Sequence, residues 1–133
     1  MTKPATYGTL ITDSGVIYDN TTRPGATVQD FRNSLQTPSE ATLVSGVDAG
    51  LGAMIEVTLT AARLVGAPLN PVKGQRLAFT LIQGGAGAFA VTWNAIFKGI
   101  TGGTSGATGT RATFVFEYDG ANWNLLGAQP TWV

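Results

Sequence analysis

Between Gly74 and Trp123 the chain repeats one pattern: a short run of alternating apolar and polar residues, then a glycine-containing turn. Alternation with period two gives a strand one face for a core and one face for something else. A chain written this way builds sheets. In Ala53–Thr60, Ile55, Val57 and Leu59 share one face, and Glu56, Thr58 and Thr60 the other. The inward sets continue as Leu77, Phe79 and Leu81 in Arg76–Gln83, and Phe89, Val91 and Trp93 in Ala88–Asn94. They end with Phe114, Phe116 and Tyr118 in Ala112–Asp119, and Trp123 and Leu125 in Asn122–Gly127. Burying one such large side chain contributes roughly 1.5–3 kcal/mol, so five strands supply most of a core.

The turns agree. Asp119-Gly120 between two alternating runs signals a hairpin. Gly84-Gly85-Ala86-Gly87 is a second connection, where glycine allows positive φ. Gly99–Gly109 is a long loop that either serves a function or bridges two sheets. Strands at this spacing predict an all-β fold, an antiparallel β-sandwich or jelly-roll-like domain over residues 51–133. Residues 1–50 read as an extended N-terminal arm and linker, with short apolar pulses at Leu10, Ile11, Val16 and Ile17 between the turn signals Ser14-Gly15 and Pro24-Gly25. At most one short helix is expected, over 28–36. Thr27 and Asp30 form a weakened capping box, and Val28, Phe31 and Leu35 fall on one helical face. Pro38 stands where that helix should stop.

Composition moves the question from chemistry to assembly. The chain has 133 residues, enough for one domain that needs neither metal nor disulfide. Only 12% of residues are charged and the formal net charge is zero, with no His and no Cys. Such a surface resists self-association poorly, which suits one covered by partners. The eight Lys and Arg are scattered singly, so a phosphate-neutralising patch for nucleic acid is not expected. No apolar run has the length of a membrane span, and MTKPATYGT lacks a signal-peptide core, so the expectation is folding in a cytoplasm.

The residues offer no recognisable catalytic set, and the chain is not expected to be an enzyme or to use a cofactor or metal. Among the carboxylates Asp13, Asp19, Asp30, Glu40, Asp48, Glu56, Glu117 and Asp119 no pair is spaced for acid–base work. Glu56 and Glu117 fall on polar strand faces, and Asp119 opens a turn. Gly84–Gly87 lacks the Lys and Ser/Thr of a phosphate loop. Trp93 and Trp123 fall in register with core positions. Trp132, in Gln129-Pro130-Thr131-Trp132-Val133, either tucks against its own domain or docks on a neighbour. The candidate interface residues are Tyr7, Leu10, Ile11, Val16, Ile17 and Tyr18 of the arm, with Trp132.

Asn70-Pro71-x-x-Gly74, a strand ending in Gln83, a Gly-rich turn, Val91-Thr92-Trp93 and Phe97-Lys98 stand in that order. A Gly/Thr loop and Phe114-x-Phe116-x-Tyr118-Asp119-Gly120 with Trp123 follow. This series resembles a β-sandwich module of tailed-phage virions, found in head decoration (cement) proteins and in tail-fibre segments. The resemblance implies a structural, homotrimeric protein. The chain has no repeats and no shaft, which is more similar to a decoration protein whose partners are the major capsid protein and its own copies. Its place would be the virion, on the head surface. Two alternatives stay open: a tail-fibre, tail-tip or head-fibre component that attaches to a host glycan, and an enzyme or unrelated small β-domain.

Overall fold

The alternating runs become strands in the computed structural model, which describes residues 35–133; these lie in one unit of the fold. The strands are β1 (Leu35–Gln36), β2 (Met54–Leu59), β3 (Arg63–Val65), β4 (Arg76–Gln83), β5 (Val91–Trp93), β6 (Phe97–Lys98), β7 (Arg111–Tyr118) and β8 (Trp123–Leu125). One helix, α1 (Glu40–Ser45), joins β1 to β2. The fold is all-β. No helix among the described residues is long and apolar enough to cross a membrane.

Six strands form one sheet in the order β1-β2-β4-β7-β8-β6, and β3 pairs with β5 in a separate ribbon. The strand directions correct the antiparallel expectation. β4–β7 and β7–β8 are antiparallel, but β1–β2, β2–β4, β6–β8 and β3–β5 are parallel. Parallel neighbours need a crossover. Here α1 supplies it between β1 and β2, and the passage through β3 supplies it between β2 and β4.

The inward sets are where the alternation places them. Ile55, Val57, Leu59, Leu77, Phe79, Leu81, Phe114, Phe116 and Trp123 are buried, with Val91 and Phe97. Phe89, Trp93, Tyr118 and Leu125 are half-buried and packed against them. Trp93 of the ribbon lies over the large sheet, with ring centroids 5.6 Å from Phe79, 4.8 Å from Phe114 and 5.1 Å from Phe116. Offset and edge-on aromatic pairs at these distances add to simple burial.

Two further expectations are corrected. The core extends upstream of residue 51: Leu43, Val47 and Ala49 are buried in it. The helix expected over 28–36 does not reach residue 36. Its described end, Leu35–Gln36, pairs in parallel with Met54–Ile55, and residues 28–34 lie outside the described residues. The helix forms after Pro38 because Ser39 caps it, its hydroxyl accepting from the Thr42 amide at 3.2 Å. Leu43 anchors the helix on the core.

Candidate interaction surface

The face of the large sheet opposite the core carries the other half of each alternation. Register aligns Leu35, Met54, Ala78 and Val115 across β1, β2, β4 and β7. Leu126 extends this row, its amide donating to the Val115 carbonyl at 2.8 Å. Leu35, Met54 and Leu126 are exposed, at 54%, 40% and 38%. Scattered exposed leucines are ordinary, but a row spanning five neighbouring backbones is a contiguous apolar surface. Strands about 4.8 Å apart make it roughly 20 Å long.

The flanks are mostly neutral. On one side Glu56, Thr80 and Thr113 are in register, with the two threonine hydroxyls 2.9 Å apart. Beyond them lie Thr58, Ile82 and Arg111. On the other side Arg76 Nε donates to Glu117 at 3.0 Å, and Asn124 pairs with Glu117 in the ladder. An exposed ion pair like Arg76–Glu117 contributes little stability, and it cancels two charges on this face.

The remaining described carboxylates are engaged in local structure. Burial alone would raise the Glu40 carboxyl, but hydrogen bonds from Arg63 and from the Thr60 hydroxyl and amide, with the Arg63 charge, outweigh it and hold the group at about 2. Asp119 is also lowered to about 2, first by the Asn122 amide, then by the Asn124 side chain and the Ala121 amide, which close the β7–β8 turn. Asp48 accepts from the Gly50 amide at 2.8 Å and from Asn70 at 3.1 Å. Among the described residues no three His, Cys, Asp or Glu side chains gather as a metal site.

Of the expected interface residues, Tyr7, Leu10, Ile11, Val16, Ile17 and Tyr18 lie outside the described residues. Trp132 resolves to its own domain. Val133 and Arg111 exchange backbone hydrogen bonds at 2.8 and 2.9 Å, which lays the tail along β7. The indole then meets Phe114 at 6.3 Å, and its N–H is buried without a partner. The apolar row is not legible in the sequence, although Met54 and Val115 are outward members of alternating runs. Register was the missing information.

A second feature lies at the sheet edge. A cleft of about 430 Å³ opens beside β5 and β6, lined by Thr92, Trp93, Asn94, Lys98, Ile100 and the Gly102–Gly103 backbone among others. No protein-family model, curated protein or solved structure matches this chain.

Proposed function

We propose that this chain is a structural virion protein, a decoration (cement) protein that binds the assembled head of a tailed phage as a trimer and stabilises it. Its partners on this reading are the major capsid protein and further copies of itself, and it acts on the head surface. The observation that carries the reading is the outward sheet face, a nearly neutral surface with an apolar row on a chain of low charge. Such a face gains by being covered. A protein that binds only the completed lattice stabilises that lattice by mass action. The segment preceding Leu35 contributes contacts to the shell or to a neighbouring copy.

Cryo-electron microscopy of the virion that carries the protein tests the reading. Many copies in the symmetry of the head are expected. A few copies at the tail or at one vertex would replace it with a tail-fibre or head-fibre role. Removal of residues 1–25 should abolish capsid binding; normal binding by the truncated protein would remove the arm from the mechanism.

A further inference from the structure

We propose that the cleft beside β5 and β6 binds a small anionic saccharide, a hexuronate or an acidic disaccharide. The volume of about 430 Å³ lies in the range of small-molecule sites. Its wall brings the polar residues Thr92, Asn94 and Lys98 together with Trp93 and Ile100. Hydroxyl and amide groups match the hydroxyls of a sugar ring. Indole and aliphatic surfaces match its C–H faces.

Charge selects the acidic form. No carboxylate lines the cleft. Among the described residues Lys98 has no ion-pair partner, since the cations that do are Arg63 and Arg76. A cleft with a cation and no acid favours a ligand that brings its own carboxylate.

The wall is also fixed in place. Gly102 and Gly103 would be mobile in an untethered loop, but the backbone is tied on both sides of them. The Thr101 amide donates to Gln129 Oε1 at 2.9 Å. Thr104 and Val91 exchange backbone hydrogen bonds at 2.8 and 3.0 Å. A methyl group at 103 would stand at ordinary contact distance, 3.4 Å, from Thr92 Cγ2, so the loop lies close against β5. A wall ordered before binding adds no ordering cost to the complex.

The test is a titration of the full-length, ¹⁵N-labelled protein with sodium glucuronate, followed by amide chemical shifts. Glucose and sodium sulfate serve as comparisons. Shifts confined to residues 92–103, with a dissociation constant of about 1–10 mM, are expected for a ligand of this size with one charge contact. Glucose should bind at least about tenfold more weakly, and Lys98→Met should weaken glucuronate by about tenfold. Lys73→Met, a charge change outside the cleft, should leave it unchanged. Absence of shifts at these residues, an equal response to glucose or sulfate, or unchanged binding by Lys98→Met would each overturn the proposal. It stands apart from the decoration reading: capsid binding and glucuronate binding can fail separately.

Discussion

Gln83 holds Phe89 by both of its amide atoms. Its Nε2 donates to the Phe89 carbonyl at 2.9 Å, and its Oε1 accepts from the Phe89 amide at 2.9 Å. The side chain is 1% exposed and closes the glycine turn between β4 and β5 as a ladder pair would. Gln83→Leu keeps the bulk and leaves both Phe89 backbone groups unpaired. An unsatisfied buried group costs about 1–3 kcal/mol, so for two groups a loss of about 2–6 kcal/mol is expected. A urea melt checks it: the midpoint should fall while the slope stays constant.

The Glu40 site gives a pH signature. Glu40 accepts from Arg63 Nε at 2.8 Å, and Thr60 donates to it from its amide and hydroxyl, tying α1 to the β2–β3 corner. Its folded value is about 2 against an ordinary 4.5. The depressed value means that the stabilisation is fully present above about 4.5 and fades as pH falls towards 2. Arg63 is 33% exposed, so solvent screening limits the gain to about 1–2 kcal/mol. Glu40→Gln should be destabilised by that amount at pH 7. Melts from pH 7 to pH 2 should converge with those of the parent protein; a gap constant with pH would contradict the assignment.

Phe114 and Thr113 are neighbours on opposite faces of β7. Phe114 is fully buried between Trp93 and Trp132, whereas Thr113 is exposed. Phe114→Ala should lose about 3–5 kcal/mol, transfer and cavity together. Thr113→Val should change stability by about 0.5 kcal/mol or less. Equal effects in thermal melts would mean that the faces of β7 are misassigned.

This contrast marks what the sequence could convey. Side-chain alternation survives any strand partner, so Leu77, Phe79, Leu81, Phe114 and Phe116 announce the core without reference to the rest of the chain. Direction of pairing leaves no such trace: Ile55 alternates with its neighbours equally well beside a parallel β4. β1, β3 and β6 are two or three residues long, too short for a period to show. The helix lies over Glu40–Ser45 because Ser39 caps it and Leu43 finds the core. Val28, Phe31 and Leu35 fit the spacing of a helix, but Leu35 enters the sheet as the partner of Met54. The apolar row and the cleft both depend on which distant strands become neighbours, and a single sequence does not state that.

Gly87 tests the turn that Gln83 closes. It has φ +71°, and a methyl group there would stand 2.6 Å from the Thr108 Cα. Strain of the left-handed backbone, about 1–2 kcal/mol, adds to overpacking of about 1–3 kcal/mol. Gly87→Ala should therefore lose about 2–5 kcal/mol in a urea melt. Gly102 is also left-handed, at φ +63°, but nothing lies within 4 Å of a methyl group there. Gly102→Ala should lose only the backbone strain, about 1–2 kcal/mol. Similar losses at both sites would show that the Gly87–Thr108 approach is not tight.

Trp132 decides between two roles for the C-terminal tail. An indole docked on a neighbouring copy would support assembly and add little to the fold of its own chain. Here the Val133–Arg111 backbone pair holds the tail, and the ring covers Phe114 and the Gly106 turn. Trp132→Ala removes that cover, and because the side chain is only half-buried the loss should be about 2–3 kcal/mol, below the range of a fully buried Trp. Light scattering after size exclusion should give the same oligomer mass for variant and parent at equal concentration, while the urea midpoint falls. A lower mass with an unchanged midpoint would return Trp132 to the interface and remove it from the core.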